Sequence, residues 1–200
     1  MNIFENTLFI NLDERQDRLQ HVINEFNKIG IINSIRIPAI RHPSGGALGC
    51  TLSHIQCLEY AIANNFEHVF IAEDDISFTN VPVLLNSIQH FLSSNVEWDV
   101  LIIGGNLAPP FIKNNEFFVR VFNCQTTTGY VVKKHYFNTL LDNFKFSAHN
   151  LIPIDIGWKL LQKIHAWFFI IPMTVTQYPN FSDIEHKFVN YLPLMLRKFR

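Results

Sequence analysis

Val69-Phe70-Ile71-Ala72-Glu73-Asp74-Asp75 decides the fold. Four apolar residues in a row, without polar alternation and bounded by polar sequence, describe a strand buried on both faces, the kind that runs inside a parallel α/β sheet. The acids that follow stand at its carboxyl end, where open sheets of this type place their ligands. Upstream, Leu48, Leu52, Ile55, Leu58 and Ile62 form a helical stripe behind the flexible Pro43-Ser44-Gly45-Gly46 loop. Further back, Ile35, Ile37 and Ala39 alternate as a strand, and Leu19, Val22, Ile23, Phe26 and Ile29 predict a helix that closes at Gly30. An apolar run over 7–12 begins the series as a strand. Downstream, Thr79 or Asn80 caps a helix with Pro82 near its first turn, and 100–103 is a second buried strand ending in Gly104-Gly105. Past Pro109-Pro110 the pattern changes to strands at 117–122 and 127–132 that can return antiparallel, then a helix at about 155–164, a strand at 168–171 and a basic C-terminal helix. The expected architecture is one α/β domain over 1–200, core about 7–190, with a mixed, mainly parallel sheet flanked by helices.

Composition narrows the function classes. Hydrophobic residues make up 48% of the 200, enough for a substantial core. Sixteen basic against 17 acidic side chains leave no overall field for a polyanion, which argues against nucleic acid as partner. Cys50, Cys57 and Cys124 cannot all pair internally, and no charged-then-apolar leader is seen, so a reducing, cytoplasmic setting is expected. The longest strongly apolar stretch, 166–171, ends at Pro172 and falls far short of the roughly 20 residues that cross a bilayer. Leu192, Leu194, Met195 and Leu196, followed by Arg197, Lys198 and Arg200, favour packing onto the core, with a peripheral membrane contact as the alternative.

Two strand ends, Asn11-Leu12-Asp13 and Glu73-Asp74-Asp75, can face one crevice. Converging carboxylates there gain from a hard divalent cation, Mg²⁺ or Mn²⁺, which would neutralise a diphosphate leaving group. The triplet serves equally to solvate a strand end or cap the next helix. Arg15 and Arg18 lie one helical turn apart and can approach phosphates, or simply pair with Asp13 or Asp17 at a solvated helix start. Cys50, His54 and Cys57 share one helix face at i, i+4 and i+7, but a fourth ligand at recognised zinc spacing is missing, which favours packing roles. Ser53 has no Gly-x-Ser-x-Gly elbow around it, so acyl-transfer chemistry lacks support.

Taken together, Phe9-Ile10-Asn11-Leu12-Asp13-Glu14-Arg15-Gln16-Asp17-Arg18, Leu48-Gly49-Cys50-Thr51-Leu52-Ser53-His54 and Ile71-Ala72-Glu73-Asp74-Asp75 resemble glycosyltransferase family 25 in order and interval. The resemblance extends through Thr127-Thr128-Gly129-Tyr130-Val131-Val132 and Pro153-Ile154-Asp155. It implies a GT-A-like, Rossmann-related fold and an inverting hexosyltransferase that moves galactose or glucose from a UDP-sugar to a glycan, glycolipid or glycoprotein acceptor. Glu73-x-Asp75 would then be the metal motif, with Asp75 also catalytic and His186 a further ligand, and Mn²⁺ or Mg²⁺ the ion. Asn11, Leu12, Arg15, Arg18 and Asp74 would hold the nucleotide, with Ser53 and His54 lining the donor pocket beside Gly49. Thr128, Gly129, Tyr130 and Asp183 would shape the sugar and acceptor side. Asp155 would be the base on the acceptor hydroxyl, or else a plain helix N-cap. Two other readings stay open: a degenerate module that binds nucleotide sugar or glycan without transfer, and a metal-dependent phosphotransfer domain.

Overall fold

Short apolar strands alternating with amphipathic helices build a layered α/β structure, seen in a computed structural model that describes residues 1–184 and 186–196. Strand β1 (Thr7–Asn11) leads into helix α1 (Gln16–Ile29), which buries Val22, Phe26 and Ile29 and ends where Gly30 takes the left-handed conformation, φ 81°. Strand β2 (Ser34–Pro38), helix α2 (Gly46–Ala63) and strand β3 (His68–Glu73) follow. A short strand β4 (Ile76–Phe78) then precedes helix α3 (Val81–Ser93), whose N-cap is Asn80, its side chain accepting from the Val83 amide at 3.2 Å. Thr79 instead donates its hydroxyl to the Thr174 carbonyl.

Strand β5 (Val100–Leu107) is followed by β6 (Phe111–Lys113), β7 (Phe118–Val121) and the ten-residue β8 (Cys124–Lys133). Helices α4 (Phe137–His149), α5 (Ile154–Gly157) and α6 (Lys159–Ile164) lead to strand β9 (Trp167–Ile170). The chain then runs through β10 (Val175–Gln177), β11 (Asn180–Ser182), β12 (Lys187–Val189) and the one-turn α7 (Leu192–Met195).

The eight-stranded sheet has the order β2-β1-β3-β8-β5-β9-β7-β6. Strands β1, β2 and β3 pair parallel, as do β5 and β9, while β8 runs antiparallel between β3 and β5. The mixed, mainly parallel sheet expected from the sequence is therefore present, and the returning strand sits at its centre. Alternate residues of each strand feed two cores. Leu8, Leu58, Tyr130, Phe144, Trp158 and Trp167 belong to one, and Phe9, Val22, Phe26, Phe70, Phe91 and Trp98 to the other.

Three features depart from the sequence expectation. Helix α4 had no counterpart in it, although Phe137, Leu140, Leu141 and Phe144 carry helical spacing, because the helix grows out of a 3-10 turn at Lys134–Tyr136 with no side-chain cap to mark its start. The single helix expected at 155–164 is two short ones that meet at Trp158, which is buried and donates its indole N–H to the Cys124 carbonyl at 2.8 Å. At the C-terminus, α7 has four residues and buries Met195, and Arg197, Lys198 and Arg200 of the expected basic helix lie outside the described residues. Among the described residues no helix is long and apolar enough to cross a membrane.

Phe144 is fully buried against the edge of His54, whereas Phe146 on the opposite side of α4 is 57% exposed. Phe144→Ala is expected to cost about 3–5 kcal/mol in urea unfolding and Phe146→Ala to stay within about 0.5 kcal/mol of the parent.

Candidate active site

Strand β3 and the turn after it send three consecutive carboxylates in three directions. Asp74 turns back under α1, where its two oxygens accept from Asn11 Nδ2 at 2.7 Å and Arg18 Nη1 at 2.9 Å. Asn11 is itself held, donating also to the Arg15 carbonyl and accepting from Arg36 Nε at 2.9 Å. Glu73 points the other way and accepts from Thr127 Oγ1 at 2.5 Å and Gln177 Nε2 at 2.9 Å. Asp75 lies between them, 3.6 Å from Arg18 Nη1 and 3.3 Å from the same Gln177 nitrogen. Its own carbonyl accepts from the Tyr178 amide at 2.6 Å, which ties this turn to the end of β10.

Burial and the neighbouring Glu73 charge push the Asp75 carboxyl well above the usual range, with Arg18 opposing them. Burial also raises Asp74, although Arg18 and Asn11 pull it back. Glu73 feels the same burial, but His54, Thr127 and Arg18 together hold it below the ordinary value. A pair of carboxylates placed on one amide nitrogen, one of them starved of positive charge, is a donor set suited to a hard cation. Gln177 Oε1, buried beside them without a hydrogen-bond partner, is a third oxygen of the same kind.

The opposite wall comes from α2. Gly49 allows it to approach the loop after β2, since a Cβ there would stand 2.1 Å from the Ile40 carbonyl oxygen. Ser53 locks that approach, accepting from the Ile40 amide at 2.9 Å and donating to the Gly49 carbonyl at 2.7 Å. His54, one residue on, is fully buried; its Nδ1 shares a 2.8 Å hydrogen bond with Tyr130 Oη and its Nε2 lies 3.6 Å from Glu73 Oε1.

Asp155 closes the third side. Helix α5 has no side-chain cap, and instead of capping it Asp155 reaches across to accept from the Thr126 amide at 3.2 Å. Thr126 is held at φ 68°, a left-handed conformation uncommon for threonine. Burial raises the Asp155 carboxyl above its usual range, and the Thr126 hydrogen bond offsets this only in part. The β11–β12 hairpin forms the fourth side. Asp183 ion-pairs with Arg15 and, at 3.3 Å, with Arg41, while Arg18 donates to the Phe181 carbonyl at 3.0 Å.

These walls enclose a crevice of about 920 Å³ lined by Glu73, Asp74, Asp75, Asp155, Gln177 and His186 among others. A sequence model of glycosyltransferase family 25, described as "LPS biosynthesis protein", matches residues 33–158. The chain belongs to glycosyltransferase family 25. A curated relative from Aedes aegypti, named as a glycosyltransferase 25 family member, is 23% identical across 88% of this chain. The alignment takes in 32% of that relative, so this family 25 chain spans about a third of its length. Among solved structures, A197 from STIV superposes with a TM-score of 0.55 at 12% identity, covering 92% of this chain and 93% of that one. A protein described as a glucose-1-phosphate thymidylyltransferase from Bacillus anthracis superposes with a TM-score of 0.51 at 10% identity, covering 86% and 89%. At these identities the likeness speaks for the fold, and the architecture is GT-A-like α/β.

The residues singled out in the sequence are distributed unevenly around this crevice. Leu12, Arg18, Ser53, His54, Asp183 and His186 line it together with the carboxylates and Asp155. Arg15 is spent on Asp17 and Asp183 instead. Thr128 and Tyr130 are fully buried in the core of β8, and Gly129 is packed against Ile76 and Phe70, so the segment that reaches the crevice is Gln125, Thr126 and Thr127. This corrects the expected sugar-side wall, because a central strand turns its middle residues into the two cores and exposes its entry. Glu73, Asp75 and His186 do not gather as one triad. Among the described residues, the group of three His, Cys, Asp or Glu side chains whose ligand atoms all lie within 4.8 Å is Cys50, His54 and Glu73. No site role was read in the sequence for Gln177, Thr127 or Arg41, and Thr127 entered there only as the first residue of the block that runs to Val132.

Gly49→Ala is expected to lower stability by about 1–3 kcal/mol, since backbone rather than a flexible side chain must yield. Urea unfolding of the variant against the parent checks this.

Proposed function

We propose that this chain transfers a hexose, galactose or glucose, from a UDP-sugar to a hydroxyl of a glycan, glycolipid or hydroxylysine-type acceptor, with inversion at the anomeric carbon and with Mn²⁺ or Mg²⁺ as cofactor. The observation that carries this reading is the convergence of Glu73 Oε2 and Asp75 Oδ1 on a single Gln177 nitrogen, at 2.9 and 3.3 Å, inside a crevice that also holds Asp155. Family membership supports the reaction class, and the matched model's reference to LPS biosynthesis supports a glycolipid or glycan acceptor.

Glu73, Asp75 and the unpartnered Gln177 Oε1 are the donors that fit a hard divalent ion. Such an ion supplies positive charge to the diphosphate leaving group. Arg18 and Arg41, with His42 and His186, line the same crevice and offer further positive or hydrogen-bonding groups to phosphate oxygens. Asp155 takes the proton of the acceptor hydroxyl. Its raised basicity suits that task, and the Thr126 amide holds one of its oxygens in place. Asp74, committed to Asn11 and Arg18, positions the other two acids by fixing the turn between them.

Asp75→Asn is expected to abolish turnover while leaving the folded state intact, measured as UDP release from a UDP-hexose in the presence of acceptor. Wild-type rates in that variant would remove Asp75 from the metal site. Asp155→Asn is expected to lower kcat by roughly 10²–10⁴-fold with a smaller effect on donor binding. In a thermal-shift panel of UDP-, GDP- and CMP-sugars, a UDP-hexose is expected to raise Tm only with Mn²⁺ present, because a ligand of the folded state stabilises it. Absence of multiple turnover with every donor would favour a binding module, and release of inorganic phosphate from a phosphoester would favour phosphotransfer.

A further inference from the structure

We propose that Cys50 Sγ, His54 Nε2 and Glu73 Oε1 form a three-ligand site for a thiophilic divalent cation, Zn²⁺ above all, separate from the hard-oxygen position between Glu73 and Asp75. One ligand atom from each of these three residues lies within 4.8 Å of the other two, and Nε2 and Oε1 stand 3.6 Å apart. Cys50 and His54 are one helical turn apart on α2, which puts both on the face that meets the end of β3. Cys57, the third soft residue on this helix, is buried among core residues with Leu58 and takes no part.

The decisive group is His54. Its ring is wholly buried, its Nδ1 is hydrogen-bonded to Tyr130 Oη at 2.8 Å, and its Nε2 has no hydrogen-bond partner. Glu73 Oε1 faces that nitrogen at 3.6 Å, beyond hydrogen-bonding reach. Metal binding takes the tautomer in which Nδ1–H donates to Tyr130, and the Nε2 lone pair and Glu73 Oε1, which also accepts from Thr127, are then directed at one another with room for a cation between them. An imidazole whose second nitrogen donates to a fixed acceptor is also how metal-bound histidines are usually oriented. Ligands at about 2.0–2.2 Å from a tetrahedral Zn²⁺ stand about 3.4 Å apart, close to the separation seen here.

The donor types choose the ion. Thiolate and imidazole favour Zn²⁺ over Mg²⁺ and Mn²⁺, which prefer oxygen. Glu73 divides its two oxygens accordingly: Oε1 is on the His54 side and Oε2 accepts from Gln177 on the Asp75 side. Cys50, His54 and Glu73 all line the crevice, so three protein ligands leave a fourth position open toward it. An ion held there adds positive charge to the crevice wall.

Binding is read without any transfer assay, which keeps its outcome apart from that of the proposed reaction. Chelator-treated protein titrated with Co²⁺ under excess Mg²⁺ is expected to show a sulfur-to-cobalt charge-transfer band that Zn²⁺ abolishes. Cys50→Ser should lose the band and bind Zn²⁺ at least about ten-fold more weakly. On the unaltered chain, Zn²⁺ but not Mg²⁺ should slow alkylation of Cys50 by about ten-fold or more, followed by peptide mass spectrometry, with buried Cys57 and Cys124 as internal references. A missing sulfur band, unchanged Zn²⁺ affinity in Cys50→Ser, or equal alkylation of Cys50 with and without Zn²⁺ would each overturn the site.

Discussion

Three adjacent carboxylates at the end of one buried strand repel each other, and the low-polarity surroundings strengthen that repulsion. Much of the architecture around them resolves it. Asp74 is drawn under α1 by Asn11 and Arg18, Glu73 is drawn toward α2 and β8 by Thr127 and His54, and Asp75 is left facing Gln177 from β10. Each partner comes from a different element. The charge conflict therefore sets where β1, α1, α2, β8 and β10 must meet, and the crevice is the space between them. Arg18 ion-pairs with both Asp74 and Asp75 but reaches Asp75 only at 3.6 Å, which leaves the buried Asp75 short of positive charge.

The parallel half of the fold was legible because its strands are short continuous apolar runs and its helices carry regular stripes. Gly30 and Asn80 mark helix ends by chemistry that acts locally. The parts that were not legible depend on distant partners. Helix α4 starts without a cap, and its identity comes from packing against α2, where Phe144 meets His54. The break at Trp158 depends on a carbonyl 34 residues away, at Cys124. Strand β10 is three residues long, too short for any periodicity, yet it delivers Gln177 between two carboxylates.

The same distinction explains the site. Residues at strand ends, Asn11, Glu73, Asp74 and Asp75, could be placed from position alone, since the carboxyl edge of a parallel sheet is a ligand edge. Their roles could not, because role depends on which way each side chain turns. Asn11 faces Asp74 and the Arg36 guanidinium, and so organises the acids as well as lining the crevice. Ser53 likewise spends its hydroxyl on two backbone groups of the loop after β2. The Thr128-Gly129-Tyr130 segment was misplaced for a related reason: antiparallel entry of β8 between β3 and β5 puts its first residues, not its middle ones, at the crevice.

That reversed central strand also links the two sides of the site. Its entry supplies Thr127 to Glu73 and the Thr126 amide to Asp155, while Tyr130, three residues further on, supports His54 from within the core. A shift of β8 would thus move the carboxylate, the candidate base and the imidazole together. Gly105 permits the close passage this requires, because a Cβ there would meet the Gln125 and Thr126 carbonyl oxygens at 3.1 Å. Positioning by one strand, rather than by several loops, favours a crevice whose opposing groups keep their relative geometry when a ligand enters.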